Sequence, residues 1–198
     1  MNRVKKANSE TRKAYFRRIV QNNSLDDIYS DERETLWNAL SRDDQKKVME
    51  SKVYWGFVKE SGIPADPFMH ENEDPPLPDI STTIQGDAYY FELGEITDEA
   101  LARAAADAEK TGENIGTSFS ELDPLLRMFR EKCLKKYQTD GKPVDLVLFY
   151  SKQTPYDPLG QIKAHSVEIA TLIAGSDFAR VWLYSDCHPR KILWKATR

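Results

Sequence analysis

The stretch Pro78-Asp79-Ile80-Ser81-Thr82-Thr83-Ile84-Gln85-Gly86-Asp87-Ala88-Tyr89-Tyr90-Phe91-Glu92-Leu93-Gly94-Glu95 predicts a β-hairpin. Asp79–Ile84 and Ala88–Ile96 are β-branched and aromatic runs, and Gln85-Gly86-Asp87 between them is the turn. Alternation puts Tyr90, Glu92, Gly94 and Ile96 on one face, and Tyr89, Phe91, Leu93 and Glu95 on the other. One carboxylate, Asp79, opens the first strand. Another, Glu92, sits inside an aromatic second strand, where an unpaired charge would be costly. The two converge if the pairing register of the antiparallel strands permits. Two carboxylates with a main-chain carbonyl make a hard-oxygen site suited to Mg²⁺, which keeps several waters of its own. Such an ion polarises a phosphodiester.

Charge is uneven along the chain. Residues 61–100 hold ten acids and no Lys or Arg, whereas residues 1–60 carry 13 Lys/Arg against 10 Asp/Glu. The whole negative excess of a chain with net charge −4 therefore surrounds the hairpin, which argues against a generic polyanion binder. At 198 residues with 40% hydrophobic content, one domain with a helical annex is expected. No apolar run reaches the length of about 18 residues needed to cross a bilayer, and the basic N-terminus has no apolar stretch behind it. Two cysteines, Cys133 and Cys187, form neither a disulfide framework nor a zinc cluster, which suits a reducing cytoplasm.

Outward from the hairpin the pattern is helical on the N-terminal side. Residues 1–40 read as a helical extension, basic at its start: seven of the first 18 positions are Lys or Arg. They form a solvated face or a phosphate-contacting arm. Ser41 caps a helix to about Ser61, stopped by Gly62 and Pro64. Glu50 projects into its apolar face, either reaching water at an edge or aimed inward at a site. His70 lies in an acidic, proline-rich stretch with Glu71, Glu73 and Asp74, read as a solvated loop.

Beyond the hairpin, Thr97 caps a helix to about Thr111, and residues 112–122 are a polar loop. Asp123-Pro124 starts a helix running to about Tyr137. Val144–Ser151 and Arg180–Tyr184 are buried strands, Leu159–Ala174 is a helix between them, and Lys191–Trp194 is a short final strand. The fold class is α/β: a central mixed β-sheet flanked by helices in a core domain over residues 41–198, with the N-terminal helical extension.

Pro78-Asp79 followed after 13 residues by Glu92-Leu93-Gly94 resembles the core motif of the PD-(D/E)XK nuclease superfamily, the restriction-endonuclease-like fold. The likeness in topology covers roughly residues 42–194. It implies that Asp79 and Glu92 hold a metal with the Leu93 carbonyl, that Glu50 joins them from the first core helix, and that the partner is DNA. The cofactor implied is Mg²⁺ or Mn²⁺. Where the superfamily has its lysine, this chain has Gly94. Some members supply that lysine from the following helix, which here offers Lys132, Lys135 and Lys136. On a helical wheel Lys136 falls within the stripe Leu125, Leu126, Phe129, Cys133 and Tyr137, Lys132 at its edge, and Lys135 points away. Lys136, then Lys132, are the candidates for stabilising charge on the phosphate.

Three functions are thus weighed. One is a metal-dependent deoxyribonuclease. Another is a catalytically degenerate nuclease-like domain serving as a protein- or DNA-binding regulatory subunit. The last is a homodimeric interaction module with Trp182, Tyr184 and Trp194 on an exposed sheet edge.

Overall fold

Sequential pairing organises the sheet: six strands lie in the order β1-β2-β3-β4-β5-β6. The computed structural model describes residues 40–65, 68–70, 76–97, 123–150, 157–187 and 189–198. The strands are β1 (Met69–His70), β2 (Ile80–Ile84), β3 (Asp87–Glu95), β4 (Val144–Tyr150), β5 (Phe178–Ser185) and β6 (Lys191–Thr197). β3, β4 and β5 are parallel; the pairs at either end are antiparallel. The helices are α1 (Arg42–Ser61), α2 (Pro124–Leu134), α3 (Pro158–Ala164) and α4 (Ser166–Gly175). The result is the mixed α/β sheet flanked by helices that the order of elements predicts. The N-terminal extension, the helix expected over 98–111 and the loop after it fall outside the described residues.

The decisive hairpin closes through a two-residue turn. Gln85 (φ 57°) and Gly86 (φ 88°) both take left-handed backbone. That geometry matches the right-handed twist of the strands it joins, and glycine at the second position adopts it without strain. The turn sets the register: Ile80 pairs with Phe91 and Ile84 with Asp87. One step past Ile80 and Phe91, the same register brings Asp79 opposite Glu92.

Each face of the sheet has its own apolar layer. On one, α1 lays Val53, Tyr54 and Phe57 against Phe91, Val147 and Trp182. On the other, α2, α3 and α4 lay Leu125, Phe129, Ile162 and Ile173 against Leu146, Leu148, Val181 and Leu183. Residues paired across strands share a face, so Glu92, level with Leu146, belongs to the α2 side. α1 begins as expected, with the Ser41 hydroxyl accepting from Asp44 N–H at 3.1 Å, and ends at Gly62.

A buried polar cluster pins β3, β4 and β5 together on the α1 face. Asp145 is 0% exposed. Its carboxylate accepts from the Tyr89 hydroxyl at 2.7 Å, from Trp182 Nε1 at 2.8 Å and from Arg180 Nε at 3.1 Å. Arg180 also donates to the Tyr89 hydroxyl at 2.8 Å, so each member of the cluster has partners.

Several boundaries differ from expectation for identifiable reasons. α2 stops at Leu134, and Lys135 is extended (φ −66°, ψ 145°), three residues before the stripe through Tyr137 would end. The helix expected over 159–174 is two helices, broken at His165, whose imidazole meets the α2 cap Asp123 at 2.5 Å. His70 is in strand β1 rather than in loop. The aromatic edge is corrected as well: Trp182 and Tyr184 are buried under α1, and Trp194 packs against Phe129. Apolar contact with the helices outcompetes exposure at an edge.

Candidate functional site

A cleft of about 380 Å³ opens where the start of β2, the middle of β3 and the end of α2 meet. Glu50, Asp79, Glu92, Lys132 and Tyr137 line it. The hairpin register delivers Asp79 and Glu92. Asp79 Oδ2 accepts the Leu93 N–H at 2.8 Å, locking the carboxylate against β3. Burial, then the charge of Glu92, push the Asp79 carboxyl above the usual range, while Lys132 and the Leu93 N–H pull it back.

The Glu92 side chain is only 3% exposed and takes two cations on one oxygen. Lys132 Nζ donates to Glu92 Oε1 at 2.5 Å and to the Leu93 carbonyl at 2.8 Å. Lys135 Nζ reaches the same Oε1 at 3.3 Å. Gly94 lies beside this contact and is closely packed. A Cβ there would lie 2.8 Å from Leu148 Cδ2, 2.9 Å from Met128 Cε and 3.4 Å from Lys132 Cε. A side chain at 94 would collide with Leu148 and Met128, while its Cβ would be in ordinary contact with the Lys132 stem. β3 shows no bulge here, so Glu95 stays on the opposite face and is exposed.

Lys136 lines the rim of the cleft but pairs with Asp177 at 2.9 Å, largely in solvent. Lys135, which the wheel turns away, instead approaches Glu92. Both differences have one cause. The 100° rule applies only inside a helix, and the helix has ended before either residue.

Glu50 comes from α1 and reaches the cleft from the side of β1. Its neighbours are Lys46 at 3.5 Å and His70 Nδ1 at 3.6 Å. Burial, then Asp79's charge, raise its carboxyl to about 7. His70 is lowered to about 4, by burial first and next by Lys47, so it is neutral at pH 7. Its Nε2 lies 2.8 Å from the Ser51 hydroxyl, which donates to the Lys47 carbonyl at 2.7 Å. With the hydroxyl proton spent there, Ser51 accepts from Nε2–H, and Nδ1 keeps a lone pair toward Glu50. The acids flanking His70 in sequence, Glu71, Glu73 and Asp74, lie outside the described residues.

The raised Glu50 gives a pH test on the metal-free protein. Its stabilising contribution is complete below about 4.5 and is lost as pH rises through about 7. Glu50→Gln is therefore expected to be more stable than wild type at pH 8, by about 1–2 kcal/mol, and equal to it at pH 4. Urea titrations at the two pH values check this; equal stability at pH 8 would mean that Glu50 carries no strain.

His70 Nδ1 and the Tyr137 hydroxyl are buried at this site, the first facing Glu50 and the second beside Glu92. Burial and then the Glu92 charge raise the Tyr137 phenol above its ordinary range. Sequence reading did not reach Tyr137, Lys135 or Lys46 as site residues. Tyr137 looked like one more member of an apolar stripe.

A divalent ion fits the donor chemistry: hard oxygens of Asp79 and Glu92 and the Leu93 carbonyl, with Glu50 adjacent. Among the described residues no three His, Cys, Asp or Glu side chains form a ready cage, so water would complete the shell, as Mg²⁺ tolerates. No helix among the described residues is long and apolar enough to cross a membrane. No protein-family model, curated protein or solved structure matches the chain. The class rests on the molecule itself: an α/β domain with a mixed six-stranded sheet and a carboxylate–lysine cleft beside its central hairpin.

Proposed function

We propose that this domain is a divalent-metal-dependent phosphodiesterase acting on DNA, a divergent relative of PD-(D/E)XK nucleases. The observation that carries the reading is the Lys132 ammonium on Glu92 and the Leu93 carbonyl, opposite Asp79, in one cleft. A lysine from α2 thus stands beside the motif acid although position 94 is glycine. Asp79, Glu92 and the Leu93 carbonyl would hold Mg²⁺ or Mn²⁺, with Glu50 beside them. When bound, the ion supplies a Lewis acid for the phosphate and acidifies its own water.

The chain's own groups would do the rest. Lys132 stabilises charge on the phosphate. Lys46, Lys135 and Lys136 at the rim attract the backbone of the nucleic acid. The Tyr137 hydroxyl has a proton to donate to a phosphate oxygen. Glu50, with its carboxyl near 7, can take or give a proton at neutral pH. Two free cysteines, Cys133 and Cys187, suit a cytoplasmic setting.

A second reading draws on the same ion pair: Lys132 replaces the metal for good, and the domain binds DNA or protein without cutting. Calorimetry with Mn²⁺ and Mg²⁺ separates the two. Wild type is expected to bind, and Asp79→Ala and Glu92→Ala to lose at least tenfold in affinity and all cleavage of duplex or single-stranded DNA. A wild type that binds neither ion, with DNA present or absent, favours the second reading and sinks the first.

A further inference from the structure

Two of the three groups assigned to the metal already hold a cation. Lys132 Nζ holds Glu92 Oε1 at 2.5 Å and the Leu93 carbonyl at 2.8 Å. Lys135 Nζ adds a second cation to that Oε1 at 3.3 Å. The pair is well enclosed: the Lys132 side chain is 14% exposed and that of Glu92 3%. A dication and an ammonium sharing these oxygens would be near neighbours with little water between them, and they would repel strongly.

The lysines differ in how freely they can leave. Lys135 is 54% exposed, beyond the end of α2, and swings out without cost to packing. Lys132 lies in the last helical turn of α2, its Cε close to Gly94. Its side chain lines the cleft, so an ammonium turned from Glu92 still faces the site.

We propose that Lys132 is the site's resident counter-ion, that an arriving divalent metal displaces it from Glu92 and the Leu93 carbonyl, and that displacement delivers the ammonium to the phosphate. This rests on the metal-dependent reading above. It makes ion binding and lysine availability one event, so a cleft without metal presents neither Lewis acid nor free ammonium to DNA.

The test uses wild-type protein first. Lysine acetylation by acetic anhydride is followed by peptide mass spectrometry with and without saturating Mg²⁺, and exposed Lys59, Lys163 and Lys191 serve as controls. Lys132 is expected to label at least fivefold faster with the ion, the controls unchanged. In parallel, Lys132→Met is expected to bind Mn²⁺ at least tenfold tighter than wild type by calorimetry. Ion binding with no change in Lys132 labelling overturns displacement and leaves the metal reading intact. Equal or weaker Mn²⁺ affinity in a folded Lys132→Met does the same. No ion binding in either protein removes both. Should Lys132→Met fail to fold, the wild-type labelling decides alone.

Discussion

Lys132→Met is expected to lower phosphodiester cleavage about 10²–10³-fold, the usual cost of removing one donor aimed at developing charge. It is also expected to destabilise the metal-free protein by about 3 kcal/mol. Removing one partner of a buried ion pair costs roughly 3–5 kcal/mol, because the other charge is left without compensation. Lys135, 3.3 Å from the same Glu92 oxygen, remains as an exposed cation and holds the loss to the lower end. For a domain of this size that is a fall in Tm of roughly 10 °C.

Two accompanying results make the cause specific. Saturating Mg²⁺ is expected to restore most of the lost Tm, since a ligand that binds only the folded state stabilises it. Activity is expected not to return. Adding Glu92→Gln to Lys132→Met removes the stranded charge and is expected to recover stability without metal, again without activity. Thermal melts with and without Mg²⁺ and single-turnover cleavage assays measure both quantities. Unchanged cleavage by Lys132→Met would remove this lysine from the chemistry.

The second large effect is on stability alone. Asp145→Ala is expected to cost about 3–5 kcal/mol, because Trp182 Nε1 loses its acceptor inside the core and the Arg180 guanidinium loses its counter-charge. Asp145→Asn, which keeps an acceptor but not the charge, is expected to cost roughly half as much. The cluster lies on the α1 face, away from the Glu92 face of the sheet. Metal affinity of the folded Asp145→Asn protein is therefore expected to match wild type. Urea unfolding with calorimetry on the same samples tests both parts. A cost under about 1 kcal/mol for Asp145→Ala would mean that apolar packing alone holds β3, β4 and β5 in register.

These effects separate what local sequence rules reach from what they do not. The hairpin was legible because its signals are local. The turn was placed locally over Gln85-Gly86-Asp87, but only the structure, which closes it over Gln85-Gly86 and pairs Ile84 with Asp87, set Asp79 opposite Glu92 rather than level with Leu93. The α1 boundaries were legible for the same reason, through the Ser41 cap and Gly62. The buried strands β4 and β5 announced themselves as apolar runs, and with them the mixed α/β class.

The lysine was only half legible. The sequence offered three lysines, Lys132, Lys135 and Lys136, in the segment after the Glu92 strand, with Lys136 preferred. Which of them meets Glu92 depends on where α2 stops, and that depends on packing rather than propensity. Ending at Leu134, the chain leaves the helical wheel, so Lys136 goes to Asp177 and Lys135 turns to Glu92. Lys132, the one of the three still in the helix, is carried to Glu92 and the Leu93 carbonyl. His70 and Tyr137 likewise became site residues only through long-range packing, which buries one against Ser51 and the other beside Glu92. Turn chemistry and residue alternation act over a few neighbours and are written in the chain. Helix ends and side-chain convergence follow from contacts between segments far apart in sequence, and tertiary structure alone decided them.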